Sequence, residues 1–190
     1  GVCEGDGAVR TGEERSGWNV RPHTRMIIVV LGVTGVGKTT IGSEVAKRLG
    51  YAFEDADAYH SAANIEKMSH GIPLTDADRI PWLQSMHRML EERNAVGTSI
   101  VLACSALKQI YRDLLGKDLD VTWIYLKGSP EAIREHIEHR QGHFAKEYLL
   151  KSQFEALEEP TDAITIDANR TPEEIVTDIL SRIQSSATAR

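Results

Sequence analysis

Gly32-Val33-Thr34-Gly35-Val36-Gly37-Lys38-Thr39 decides how this chain folds, because it separates the apolar run Met26-Ile27-Ile28-Val29-Val30-Leu31 from the helix-periodic segment Ile41–Leu49. A strand, a glycine-rich loop and a helix, in that order, form a natural anion cradle. Glycine admits backbone angles closed to other residues, so successive N–H groups can converge on one anion at the positive end of a helix. In the spacing G-x-x-x-x-G-K-[ST], the lysine reaches the β- and γ-phosphates of a nucleotide and the hydroxyl ligates Mg²⁺. Here those residues are Lys38 and Thr39. An ordinary glycine turn before a helix is the alternative, and it leaves the lysine and threonine unexplained.

Size and composition narrow the setting. With 190 residues the chain makes one domain with a sizeable core and leaves no length for a second. A formal net charge of −6 argues against a broad electrostatic footprint for nucleic acid, so any phosphate site must be local. Cys3 and Cys104 are the only cysteines, and they offer neither a disulfide framework nor a C-x-x-C metal site. No apolar run approaches the length of a bilayer span, and residues 1–25 lack the apolar block of a signal peptide. These features together predict a cytoplasmic protein without a membrane segment.

Residues 1–25 scatter five glycines among charges without helical or strand periodicity, and are expected to be a flexible extension in which Trp18 and Val20 offer the only docking side chains. The domain is expected to occupy 26–190. Strands are predicted at 26–31, 51–54, 98–103, 121–126 and 163–167. Helices are predicted at 39–49, 61–69, 76–95, 108–115, 130–140, 146–158 and 172–185. Short apolar strands alternating with helices imply a parallel sheet covered on both faces, an α/β three-layer sandwich. Ser129-Pro130 and Thr171-Pro172-Glu173-Glu174 each place a capping hydroxyl before a first-turn proline, marking two helix starts.

A phosphate loop identifies only the donor, so the acceptor site is sought at the carboxyl ends of the other strands. The first segment there is Glu54-Asp55-Ala56-Asp57-Ala58-Tyr59-His60, where one carboxylate would hold Mg²⁺ through water and another accept a hydroxyl proton. Strand alternation would put Asp55 and Asp57 on one side, with a polar loop that merely ends the strand as the alternative; His60 would hydrogen-bond a substrate hydroxyl or be a solvated loop histidine. The second is Cys104-Ser105-Ala106-Leu107-Lys108, in which Lys108 and Arg112 are spaced to share a helix face as a cradle for a carboxylate or phosphate. Surface charges on an amphipathic helix, with Ser105 as a cap, are the competing account. The third is His136–Phe144, read as a lid over about 136–146 whose Arg140 closes on the triphosphate. A plain helical hairpin, or a zinc site from His136, His139 and His143, would use the same segment. Arg79 sits at the start of the longest helix, against the dipole, as expected of a cation facing either a substrate anion or Asp76 or Asp78.

Taken together these segments resemble the gluconokinase family of P-loop small-molecule kinases, relatives of shikimate and nucleoside monophosphate kinases. The matching strings are Gly32–Thr39, Asp55-Ala56-Asp57 with His60, Asn64–Met68, Gly71-Ile72-Pro73-Leu74 with Asp78–Leu83, Cys104–Lys108 with Tyr111-Arg112-Asp113, Tyr125–Gly128, Gly142-His143-Phe144 and Gln153–Pro160. The resemblance implies a five-stranded parallel sheet of order 2-3-1-4-5 with a helical lid. It implies transfer of the ATP γ-phosphate to the 6-hydroxyl of D-gluconate in a homodimer. By the same resemblance, Gly32, Val33, Thr34, Gly35, Val36, Gly37, Lys38, Thr39, Thr40 and Arg140 bind nucleotide, and Thr39 and Asp55 hold Mg²⁺. Lys38, Asp57 and Arg140 carry the chemistry, and Asp57, His60, Arg79, Lys108 and Arg112 hold the sugar acid. The chain departs from the pattern at His136, where related kinases carry an arginine, and in its N-terminal extension.

Two other readings use the same phosphate loop. One is a kinase for a different small acceptor, such as shikimate or a nucleotide. The other is a nucleotide-binding switch module, for which Asp113-Leu114-Leu115-Gly116 supplies D-x-x-G but no N-K-x-D accompanies it.

Overall fold

The computed structural model describes residues 25–138 and 143–188. Strand β1 (Ile27–Leu31) is buried at every position, as a strand covered on both faces must be. Helix α1 (Lys38–Leu49) follows the glycine loop, and β2 (Ala52–Asp55) leads into a 3₁₀ turn at Ala56–Tyr59. Helices α2 (Ala62–Ser69) and α3 (Asp76–Ala95) precede β3 (Ile100–Ala103), and α4 (Gln109–Leu115) precedes β4 (Val121–Lys127). Helices α5 (Pro130–Glu138) and α6 (His143–Ala156) then lead to β5 (Ile164–Asp167) and α7 (Pro172–Thr188).

The five strands form one parallel sheet in the order β2-β3-β1-β4-β5, the order implied by the resemblance. Ile27 pairs with both Ile100 and Val121, and Asp55 pairs with Ala103. This register brings the carboxyl ends of β1, β2 and β3 to one edge. Alternate β1 side chains enter opposite cores. Ile27, Val29 and Leu31 pack with Trp82, Leu83, Met86 and Leu90 of α3 and Tyr111 and Leu115 of α4. Ile28 and Val30 pack with Ile41 and Val45 of α1 and Ile175, Val176 and Ile179 of α7. A third, smaller cluster joins Val33, Leu107, Ile133, Ile137 and Leu150 beneath the phosphate loop.

The helix starts follow local chemistry. Thr75 forms a full capping box with Asp78 at the head of α3. Ser129 Oγ accepts from Ala132 N–H at 3.2 Å, and Thr171 Oγ1 from Glu174 N–H at 3.3 Å, so both proline-preceded caps are present. Helix α6 ends earlier than its periodicity suggests. Leu157 N–H still bonds Gln153 O, but Glu158 N–H turns to Leu107 O at 2.8 Å, drawing the chain off the helix toward the segment after β3. No described helix is long and apolar enough to cross a membrane.

Candidate active site

Two glycines show why the loop after β1 needs its composition. Gly32 has φ +153°, and a Cβ there would stand 2.9 Å from Leu126 O of the neighbouring strand. Gly37, at φ +107°, is the N-cap of α1 and supplies no capping side chain. The N–H groups of the first turn, at Lys38, Thr39 and Thr40, thus face outward without intrahelical acceptors, as an anion at a helix N-terminus requires. Lys38 folds back over the loop, donating from Nζ to Val33 O at 2.9 Å. Burial lowers its pKa below the usual lysine value, and the negative charges of Asp57 and Asp55 limit that fall.

The acidic pair after β2 does not continue the strand. Asp55 is the N-cap of the 3₁₀ turn, accepting from Asp57 N–H at 2.9 Å, so the chain leaves the strand there and Asp57 does not follow strand alternation. Asp55 Oδ2 accepts from Thr39 Oγ1 at 2.6 Å. This joins the end of β2 to the phosphate loop. Asp57 lies exposed beside them, its charge felt by Lys38, His60 and Cys104. The Cys104 thiol is pushed up to about 12, chiefly by burial, and stays protonated and inert at neutral pH.

Opposite the loop, His60 stacks on Trp82 with ring centroids 4.2 Å apart and planes 13° from parallel. Trp82 is anchored by its indole N–H on Ala56 O at 2.7 Å. Desolvation lowers the His60 pKa, and Arg79 adds to that against the pull of Asp57, so the imidazole is neutral at neutral pH. The ring can then serve a hydroxyl as either donor or acceptor.

Among the described residues Arg79 makes no direct bond to Asp76 or Asp78, although the Asp76 carboxyl, held below the usual range chiefly by the Tyr111 hydrogen bond, also feels its charge. Asp78 belongs to the capping box and bonds Lys67 Nζ at 2.9 Å, which depresses its carboxyl to about 2. Asp76 accepts from Lys108 Nζ at 2.9 Å and from the Tyr111 hydroxyl. The Arg79 guanidinium instead lies 5.6 Å from the centre of the Tyr111 ring, and its buried Nε has no hydrogen-bond partner. Lys108 Nζ lies 5.7 Å from the same ring. Tyr111 and Asp76 therefore hold two cations together at the carboxyl end of the sheet, a pairing that the sequence analysis missed.

Arg112 requires a correction. It does not share a helix face with Lys108, because Lys108 is the extended N-cap of α4 and Arg112 is buried within the helix. The Arg112 terminal nitrogens donate to Ala106 O at 2.7 Å, Leu107 O at 3.1 Å, Gln109 Oε1 at 3.1 Å and Glu158 O at 2.8 Å. The residue is a pin that fixes the loop after β3, in which Ala106 is held at φ +40°. Arg112→Met is expected to lower the unfolding free energy by about 2–4 kcal/mol, because it strands several buried carbonyls. Urea unfolding checks this. A loss below about 1 kcal/mol would contradict the pin assignment. Ser105 does not cap α4, whose N-cap is Lys108, three residues later.

Arg140, like His139, Gln141 and Gly142, lies outside the described residues, as do Trp18 and Val20. The described parts of the expected lid are the ends of α5 and α6. Among the described residues no cluster of three metal-ligating side chains occurs. Two clefts, about 840 Å³ between α5 and α6 and about 810 Å³ beside β4 and β5, include neither Lys38 nor Asp57. Thr39, Thr40 and Asp57 are exposed and line neither of these clefts.

A glycine-rich phosphate loop between β1 and α1, set in a 2-3-1-4-5 parallel sheet, marks this chain as a P-loop kinase of the small-molecule type. The shikimate kinase family profile matches residues 34–184. Within that class the likeness is narrower. A gluconokinase of Gluconobacter oxydans is 41% identical over 162 residues, spanning 83% of this chain and 91% of that protein. The thermoresistant gluconokinase of Escherichia coli is 40% identical over 167 residues, spanning 85% and 95%. The crystal structure of a gluconokinase from Sinorhizobium meliloti superposes with a TM-score of 0.79 at 39% identity, covering 87% of this chain and 97% of that one. The chain belongs to the gluconokinase family.

Proposed function

We infer that this chain transfers the γ-phosphate of ATP to the 6-hydroxyl of D-gluconate, releasing 6-phosphogluconate and ADP. Arg79 is the observation that carries the substrate assignment. A guanidinium partly buried against Tyr111, with its neighbouring carboxylates committed elsewhere, calls for an anionic ligand, and the carboxylate of a sugar acid supplies one. Lys108 uses one donor on Asp76 and keeps others for the same ligand. His60, neutral and stacked on Trp82, suits the polyol hydroxyls.

The chemistry is positioning and charge stabilisation, with no covalent intermediate on the protein. The amides of the second half of the loop and of the first turn of α1 hold the phosphates, Lys38 neutralises the group in transfer, and Asp57 orients the attacking hydroxyl and accepts its proton. Thr39 and Asp55 place a hydroxyl and a carboxylate oxygen together beside the loop, the hard donors that Mg²⁺ takes, and these two would hold the ion. When bound, it neutralises charge on the β- and γ-phosphate oxygens. Arg140 enters this proposal through the family resemblance, as a lid cation. The proposal extends to a homodimer, checked by sedimentation equilibrium, and to a reducing cytoplasm, which suits the buried free Cys104.

ADP release measured with Mg²⁺-ATP and gluconate, shikimate or a nucleoside monophosphate tests the assignment. Turnover with gluconate is expected; turnover with another acceptor alone would overturn it. Within that assay, Arg79→Gln is expected to raise the gluconate KM by about 30- to 100-fold while leaving the ATP KM nearly unchanged, as the loss of a charge-assisted pair to a carboxylate requires.

A further inference from the structure

The phosphate loop is held from one side by a residue that no functional role has yet absorbed. Thr34 N–H donates to Oε1 of Gln153, a residue of α6 that lies 119 positions away in the chain. The adjoining loop residues lean the same way. Val33 is buried against Ile133 and Ile137 of α5, Leu150 of α6 and Leu107, and a Cβ on Gly35 would stand 3.0 Å from Ile137. The first half of the loop therefore rests on the α5–α6 pair, while its second half belongs to α1.

We propose that Gln153 is a positioning residue for ATP, its side-chain carbonyl fixing the Thr34 amide and so pre-forming the first half of the phosphate loop. A glycine-rich segment loses much backbone freedom when it is ordered around a ligand, and a fixed acceptor reduces how much is lost on binding. The same stretch of chain also reaches the acceptor side. Four residues beyond Gln153, Leu157 N–H still bonds Gln153 O; then Glu158 bonds Leu107 O through its N–H and receives Gln109 N–H and Arg112 at its oxygens. Residues 153–158 thus connect the donor loop to the loop after β3. Movement of α6 is transmitted to the phosphate loop at Thr34.

The proposal rests on ATP being the phosphate donor, and its test is chosen to read nucleotide binding apart from turnover. Gln153→Met keeps the side-chain length and removes the acceptor, whereas Gln153→Glu keeps an acceptor oxygen. In the full chain, Gln153→Met is expected to accelerate Thr34 amide exchange and weaken the calorimetric Kd for Mg²⁺-ATP, each by about tenfold, through lost preorganisation. The gluconate KM should stay within about twofold and the urea midpoint near that of the unsubstituted chain. Gln153→Glu should retain the protection at Thr34. Unchanged exchange and unchanged ATP affinity in Gln153→Met would overturn the proposal. So would a joint loss of both substrates' binding with a lowered urea midpoint, since that marks general packing. Failure of gluconate turnover in the unsubstituted chain would remove the substrate assignment and leave the exchange and calorimetric results decisive for Gln153.

Discussion

Replacing Lys38 with methionine is expected to lower kcat with gluconate by about 10³-fold, because a positive charge aimed at the migrating phosphoryl group acts mainly on the transition state. Among the described residues, no other cation lies on the phosphate loop. Lys38 is the first residue of α1, set by Gly37 at the mouth of the loop, and its ammonium rests on Val33 O at 2.9 Å, ready to swing onto a phosphate oxygen. Arg79 and Lys108 stand across the site, held beside Tyr111. Methionine preserves the stem and removes the charge, so the fold and the urea midpoint should be close to those of the unsubstituted chain. ATP binding should weaken far less than turnover falls, since the amides of the loop and first turn remain. Single-turnover rates and nucleotide calorimetry separate the two effects. A kcat within about tenfold of the unsubstituted chain would show that Lys38 does not stabilise the transferring group.

Much of this architecture was legible in the sequence, because burial on both sheet faces leaves continuous apolar strands and the helix starts are marked by side-chain caps. The run Met26–Leu31 and the strings Ser129-Pro130 and Thr171-Pro172 each predict an element that the structure contains. The donor half of the site was legible for the same reason. A phosphate loop is contiguous, and its chemistry follows from spacing alone. The acceptor half is assembled from β2, α3 and the segment after β3, and no local pattern says which of its charges are already satisfied. Lys108 and Arg112 look alike in sequence, yet a change of backbone at Lys108 sends one side chain to Asp76 and buries the other among carbonyls. Asp55 and Asp57 likewise follow strand alternation only if the strand continues, and it stops at Asp55 because that carboxylate caps the next turn. Gln153 illustrates the same limit at long range, since its partner lies 119 residues away.

Asp57 provides the sharpest division between binding and chemistry. Asp57→Asn is expected to lower kcat by about 10²- to 10³-fold, because an amide can neither accept the hydroxyl proton nor attract the hydroxyl as strongly as a carboxylate does. ATP affinity should be nearly unchanged or slightly improved, since the substitution removes a negative charge that Lys38 feels. The polypeptide has little reason to unfold. Asp57 is exposed, and in the 3₁₀ turn it is the backbone N–H of Asp57, not its side chain, that bonds Asp55. The Lys38 amine loses its strongest favourable charge partner in this variant, so its pKa should fall further below the ordinary lysine value. Activity remaining in Asp57→Asn should therefore decline at lower pH as alkaline conditions are approached, an effect visible in the kcat profile. The contrast with Asp55 completes the argument. Asp55→Asn disturbs the bond to Thr39 and should respond to added Mg²⁺, whereas no concentration of Mg²⁺ should restore Asp57→Asn. Recovery of Asp57→Asn by excess Mg²⁺, or turnover within about threefold of the unsubstituted chain, would transfer the hydroxyl-orienting role to another group.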